Sequence, residues 1–249
     1  MMIFALMSGV LTGLALGIFG SGGGIIVVPA LIYLLHLPPK EAIAMGLGII
    51  AITAILSAWD HWRAGNVDLR AAAVFAPLGV AGTYVGAKLG AALPASFQLG
   101  LFAAVMYLAA FRMLRKQTVV GQRTERSDAA RATLLVGAGI GVGLLAGVVG
   151  VGGGFLIVPA MVLLAGIPMK RAIGTSLAVV SLNSLSGFAG YLGAVAVNYT
   201  TMGTFAAVTV LSSFTGARLA RQWSAERLKL GFAWSLIVVA SYIIIKSVL

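Results

Sequence analysis

The chain has 249 residues, of which 60% are hydrophobic and only 9% are charged. Soluble domains carry roughly 25% charged residues, so this composition excludes an ordinary soluble protein. The formal net charge is +11 and there is no cysteine, which excludes disulfide bonds, iron–sulfur clusters and thiolate metal sites. The basic residues lie in short loops and at the ends of apolar segments, where they orient a membrane protein, so nucleic acid is not an expected partner.

Long stretches without Lys, Arg, Asp or Glu run through the chain, at 1–39, 42–59, 71–87, 132–169 and 172–217. About 20 apolar residues cross a bilayer as a helix, so these stretches predict several membrane spans. Each half of the chain has four hydrophobic segments, at 2–36, 41–60, 71–91 and 96–114 and at 132–167, 171–192, 200–220 and 228–248. The predicted fold class is therefore an all-α polytopic membrane protein.

The two halves repeat one pattern at a separation of 130 residues. Residues 13–43 and 143–173 share 15 identities in 31 aligned positions. The identities include a glycine run and a following proline in each half: Gly20, Gly22, Gly23, Gly24 and Pro29, and Gly150, Gly152, Gly153, Gly154 and Pro159. Chance does not produce this agreement, so the chain is a duplicated unit.

The duplication predicts three parts: a first transmembrane repeat at 1–114, a linker at 115–131 and a second transmembrane repeat at 132–249. The linker carries five basic residues against two acidic ones. Because basic loops stay in the cytoplasm, we expect the linker on the cytoplasmic side of the inner membrane.

The first hydrophobic segment of each half is too long for a single span. As one helix, 132–167 would measure about 54 Å, against a hydrocarbon core of about 30 Å. Three consecutive glycines and a later proline predict a break, at 152–154 with Pro159 and at 22–24 with Pro29. Folding each segment back as a re-entrant hairpin keeps the basic loops on the linker side and makes the halves inverted repeats. A kinked full span is the alternative.

The glycine runs are the first candidates for a binding site. Consecutive glycines expose backbone N–H groups, and the helix that follows presents the positive end of its dipole. Two such breaks meeting at mid-membrane would bind an anion without a fixed charge. The alternative is that the glycines only permit close helix packing. The predicted substrate-binding residues here are Gly20, Ser21, Gly22, Gly23, Gly24, Gly150, Gly152, Gly153 and Gly154.

Neutral polar side chains in the second segment of the second half are the next candidates. Thr175, Ser176 and Asn183 offer hydroxyl and amide donors that suit an oxoanion. Hydrogen bonding between helices is the alternative role for such residues.

Four further residues are accessory candidates: Thr53, His61, Lys88 and Arg218. Lys88 and Arg218 occupy equivalent segment ends, where they either draw anions inward or extend to the lipid interface. His61 either relays a proton or simply packs at a loop.

Motifs for catalysis are absent from the sequence. It has no intramembrane carboxylate pair, no HExxH zinc motif, no GxSxG nucleophile elbow and no Walker loop. We therefore predict that the chain is not an enzyme, that it uses no metal or cofactor, and that an ion gradient, the membrane potential or the substrate gradient drives transport.

Three motifs resemble those of the TauE/SafE family of predicted sulfite and organosulfonate exporters. They are the duplicated G-x-G-G-G-x-x-x-x-P unit at 20–29 and 150–159, the HWRAGNVD loop at 61–68 and the GAKLG turn at 86–90. Thr175-Ser176 matches the family's Thr-Ser step, whereas the first half has Met45-Gly46 there. The resemblance covers essentially the whole chain and implies export of sulfite, sulfoacetate or a related organosulfonate.

Two other functions remain as alternatives: transport of another small anion, and a non-transporting membrane anchor or subunit. An anchor has no need of duplicated glycine breaks, and a cation site would require carboxylates within the membrane. The expected partners are a small organic or inorganic sulfur anion and membrane lipid, and a homodimer is compatible with the pattern.

Overall fold

The computed structural model describes residues 2–20, 24–115, 128–163 and 166–248. These residues form ten helices and no extended β-strand. The first half contains α1 (Met2–Phe19), α2 (Gly24–Tyr33), α3 (Pro39–Arg63), α4 (Leu69–Ala92) and α5 (Ala95–Leu114). The second half contains α6 (Asp128–Val149), α7 (Gly154–Leu163), α8 (Met169–Tyr191), α9 (Tyr199–Gln222) and α10 (Ala225–Val248). The all-α prediction is confirmed.

Five helices in the described part of the chain are long and apolar enough to cross a membrane, namely α3, α4, α5, α8 and α10. Helix α9 has 24 residues, the same length as α4. Its threonines and serines make it more polar than α4, because hydroxyl groups lower the mean hydropathy without adding charge. This set of helices is that of a polytopic membrane protein.

Both predicted helix breaks are present, between α1 and α2 and between α6 and α7. In the second break, Gly150, Gly152 and Gly153 have φ angles of +78°, +65° and +78°. Gly20, before the first break, has a φ of +70°. Only glycine adopts this left-handed region without strain, so Gly20, Gly150, Gly152 and Gly153 let the chain turn sharply where a helix would otherwise continue.

The helices of the two halves exchange partners, with α1 to α5 corresponding in order to α6 to α10. Helix α1 packs along α9, and its equivalent α6 packs along α4. In the same way α3 packs along α9 and α8 along α4, while the equivalent pairs α3–α8 and α5–α10 pack on each other. Each of these packing pairs therefore has an equivalent pair in which the two halves are exchanged.

Glycines allow the exchanged pairs to approach closely. A Cβ atom at Gly17 would collide with the carbonyl oxygen of Ser213, and one at Gly147 would collide with that of Thr83. These two contacts are equivalent, since each residue of the second is related to one of the first by 130 positions. Small residues at such interfaces are typical of helix packing in membranes, so these glycines have the packing role.

The chain reverses direction at the second break. Helix α4 runs parallel to both α6 and α8, so α6 and α8 run in the same direction. The ten-residue α7, which joins them, must therefore carry the chain back. Successive contacts along α4 give these directions: Leu78 with Gly139 and Thr83 with Gly147 in α6, and Gly79 with Asn183 and Ala87 with Gly190 in α8.

Helices α3 and α8 run antiparallel through the centre of the bundle. His61, near the end of α3, contacts Gly174 near the start of α8, whereas Gly48 contacts Phe188 near the end of α8. These two equivalent helices therefore run in opposite directions.

Candidate functional site

The two glycine breaks meet in the centre of the structure. A Cβ atom at Gly24 would lie 3.2 Å from both the carbonyl oxygen and the Cγ1 atom of Val151, and 3.0 Å from Ile50 Cδ1. Gly24 begins α2 and Val151 precedes α7, so the break of one half touches the break of the other. Ile50 lies near the middle of α3, so this junction is about halfway along the length of that helix. Three of the predicted residues, Ser21, Gly22 and Gly23, lie outside the described residues.

Neutral donors surround the break of the second half. A Cβ atom at Gly152 would collide with the Ser184 hydroxyl. Ser184 is fully buried on α8, and its hydroxyl has no hydrogen-bond partner among the described residues. Within that part of the chain, no acceptor takes the N–H groups of Gly152, Gly153 or Gly154, as expected at the start of a helix. A free hydroxyl beside free helix N–H groups suits an anionic oxygen.

Each break also touches the start of the second long helix of the opposite half. Gly20 lies against Ile173, and the equivalent Gly150 lies against Ile43. The carbonyl group of Ile173 accepts a hydrogen bond from the Ser176 hydroxyl at 2.8 Å. Ser176 is therefore within one helical turn of the first glycine run.

Two of the predicted polar residues make hydrogen bonds to the protein backbone instead. The Thr175 hydroxyl donates to the carbonyl oxygen of Arg171 and accepts from the backbone N–H of Asp68, both at 2.8 Å. It thus fastens the α3–α4 loop to α8. The Thr53 hydroxyl donates to the carbonyl oxygen of Ile49 on its own helix at 2.8 Å.

Asn183 faces α4 rather than the glycine break. Its side-chain oxygen and nitrogen would both lie 2.6 Å from a Cβ atom at Gly79, so only glycine leaves room for this amide. Asn183 is 1% exposed, and neither amide atom has a partner among the described residues. A buried polar group left unpaired costs about 1–3 kcal/mol, so this place suits a polar guest.

The two predicted basic residues lie away from the junction. Lys88 and Arg218 are exposed near the ends of α4 and α9. The Lys88 ammonium lies 5.9 Å from the centre of the Tyr84 ring. This placement is that of side chains extending to an interface. His61, the remaining accessory candidate, is buried at the end of α3.

The buried polar side chains of the described residues are uncharged groups: hydroxyls, the amides of Gln98 and Asn183, and the His61 imidazole. No carboxylate, lysine or arginine is among them. A ligand at the junction would therefore meet neutral donors.

Ser184 and Val151 are absent from the site residues predicted from the sequence. The available signal was the crowding of hydroxyl and amide side chains on α8. Neighbouring positions on a helix point about 100° apart, so choosing Ser184 over Asn183 requires knowing how α8 is rotated against α4 and α7. The packing of the helices sets that rotation.

Comparison with known proteins adds the family. A sequence model described as "Sulfite exporter TauE/SafE" matches residues 5–243. A "Probable membrane transporter protein" of Xylella fastidiosa is 32% identical over 99% of this chain and 96% of its own length. One of Haemophilus influenzae is 30% identical over 98% of both chains, and the "Probable membrane transporter protein YdhB" of Bacillus subtilis is 26% identical over 84% of this chain and 86% of its own. No solved structure matches. The chain therefore belongs to the TauE/SafE family and is a multi-pass membrane transporter.

Proposed function

We propose that the chain exports a small sulfur oxoanion, such as sulfite, sulfoacetate or a related organosulfonate, through the junction of the two glycine breaks. The observation that carries this proposal is the contact of Gly24 with Val151, because it joins the two duplicated breaks near mid-depth. The unpartnered Ser184 hydroxyl beside Gly152 adds a donor there. The family description supplies the substrate class.

Neutral donors suit a substrate that must be released as well as bound. A buried, charge-assisted pair with arginine would hold an oxoanion firmly and slow its exit. A sulfonate offers three oxygens that accept N–H and O–H hydrogen bonds. Since the cell interior is electrically negative, the membrane potential favours outward movement of an anion, so export proceeds without a coupled ion.

The repeats at 1–114 and 132–249 are inverted relative to each other in the membrane. The antiparallel packing of α3 and α8 supports this, because equivalent helices that run antiparallel are related by a two-fold axis perpendicular to them. The return of the chain in α7 adds further support, since it leaves three net crossings in the second half.

The charge distribution agrees with inverted repeats. In that arrangement ten basic residues with described side chains lie on the linker side: Arg63, Arg70, Arg112, Arg115, Lys170, Arg171, Arg218, Arg221, Arg227 and Lys229. The opposite side has three: Lys40, Lys88 and Lys246. This excess of basic residues supports a cytoplasmic position for the linker.

Reporter fusions test the arrangement. A reporter active only in the cytoplasm should be active when fused at Gln117, and a reporter active only outside should be active at Leu249. Both fusions reporting the same side would contradict inverted repeats, because each half must contribute an odd number of crossings.

Proteoliposome transport tests the function. We expect saturable uptake of labelled sulfite and sulfoacetate into vesicles made electrically positive inside, with no requirement for a pH gradient. Vesicles without protein, and vesicles with reversed potential, are the controls. Uptake of neither anion above the protein-free level would contradict the proposal, and uptake that requires a pH gradient would contradict its uncoupled form.

A further inference from the structure

A small cavity lies where α3 and α9 end and α8 and α10 begin. Its volume is about 20 Å³, and its lining includes His61, Asn66, Lys170, Ile173, Arg221 and Leu228. A space of this size holds one water molecule or one oxygen atom of a larger ligand. It is separate from the junction of the glycine breaks.

His61 is the buried polar side chain that faces this cavity. It is 5% exposed, and neither ring nitrogen has a hydrogen-bond partner among the described residues. An imidazole ring carries at least one N–H donor in either protonation state. Because a buried donor without an acceptor is unfavourable, the cavity suits a guest that accepts a hydrogen bond.

Lys170 supplies positive charge at the mouth of the cavity. Its ammonium group is exposed and lies 3.4 Å from the carbonyl oxygen of Arg221. The Arg221 guanidinium is already paired with the carboxylate of Asp60 at 2.6 Å. In the described part of the chain no carboxylate pairs with Lys170, so an anion is a better guest than a neutral molecule.

The equivalent place at the other end of the bundle has internal hydrogen bonds in place of an unpartnered ring. His61 corresponds to Tyr191 and Leu228 corresponds to Gln98, each by 130 positions. The Gln98 side-chain nitrogen donates to the carbonyl oxygen of Val148 at 2.6 Å and to the Tyr191 hydroxyl at 3.0 Å. The unpartnered imidazole is thus specific to the His61 end and does not follow from the repeat.

We infer that the His61 cavity is a loading site for a small oxoanion. One anion oxygen occupies the cavity and accepts from the His61 ring, and the rest of the anion lies at the mouth beside Lys170. Ile173 lines the cavity and also contacts Gly20, so an anion bound here is next to the first glycine run. The identity of the anion, a sulfur oxoanion, rests on the proposed function.

The test compares Lys170→Gln with Lys40→Gln. Lys40 is the equivalent lysine, and its ammonium donates to the carbonyl oxygen of Ala91 at 2.7 Å. Uptake would be measured as a function of sulfite concentration in inverted vesicles, which expose the linker side. We expect Lys170→Gln and His61→Phe to raise KM about tenfold, equivalent to about 1.4 kcal/mol, with little change in maximal rate. Lys40→Gln should leave KM unchanged.

Calorimetric titration of the purified protein with sulfite separates this inference from the proposed function. If wild type shows no uptake, weaker sulfite binding in Lys170→Gln but not in Lys40→Gln would still establish the site. Equal effects of the two lysine changes would overturn it. A folded His61→Phe variant that binds sulfite like wild type would also overturn it, as expected if the cavity holds only water. Lys170 is exposed, so Lys170→Gln remains informative should His61→Phe fail to fold.

Discussion

Replacing Gly24 with valine is expected to abolish transport while leaving the protein folded. Gly24 is not among the described glycines with a positive φ angle, so its backbone conformation is compatible with valine. The added methyl groups would instead press on Val151 and Ile50, which already lie within 3.2 Å of a Cβ atom at this position. Overpacking of this kind costs about 1–3 kcal/mol, and here it fills the space through which the anion passes. Gly24→Ala should have a smaller effect in the same direction.

Two glycines provide matched controls for that substitution. Gly203 on α9 has no atom within 4 Å of a Cβ position, so Gly203→Val should transport normally. Gly152 combines a φ of +65° with a collision against Ser184, so Gly152→Ala should reduce the yield of folded protein. The measurements are sulfoacetate flux and detergent-stable yield. If folded Gly24→Val protein transported sulfoacetate at a near-normal rate, the glycine break would serve only helix packing and not the anion path.

Removing the unpartnered Ser184 hydroxyl on α8 is expected to weaken substrate binding without lowering stability. Ser184 makes no side-chain hydrogen bond among the described residues, so Ser184→Ala removes no hydrogen bond that holds the fold. A hydrogen bond to a charged group contributes about 1.5–3 kcal/mol. Loss of one such bond should therefore weaken sulfoacetate binding roughly tenfold to a hundredfold, at both low and high salt.

Two substitutions outside the junction complete this comparison. Thr53→Val should be silent, because the Thr53 hydroxyl already donates to the carbonyl oxygen of Ile49. Arg218→Gln should slow transport mainly at low salt and low substrate, because exposed charges act at long range and are screened by ions. If Arg218→Gln erased binding while Ser184→Ala had no effect, the site would depend on a fixed cation.

The helical class and the two breaks were predictable because their causes are local. Apolar stretches of membrane length predict helices, and consecutive glycines predict a turn wherever they occur. The exchange of α1 and α6 between the halves was not predictable in this way. Helices α4 and α9 have the same length and both present small residues along one face, so the sequence does not say which of them α1 or α6 will pack against.

The sequence predicted the glycine backbone of the candidate site, but it did not predict which side chains lie beside it. The sequence singles out the glycine runs, and the structure brings Gly24 against the opposite break. It also singles out Thr175, whose hydroxyl instead fastens a loop to α8. Partners of this kind come from residues more than 100 positions away, so no local pattern distinguishes a hydroxyl that binds the fold from one left free, such as Ser184.

The central claim is that the anion passes the glycine break beside Ser184, and a single cysteine tests it most directly. The chain has no native cysteine, so Ser184→Cys introduces the sole thiol. We expect its rapid modification by a thiol reagent that carries a sulfonate group, slow modification by a cationic analogue, and protection by sulfoacetate. Ser213→Cys is the control, because Ser213 is buried and bonded to Ser57 between α3 and α9, and it should not react. A folded Ser184→Cys protein that resists the sulfonate reagent, or that reacts without protection by sulfoacetate, would contradict the account.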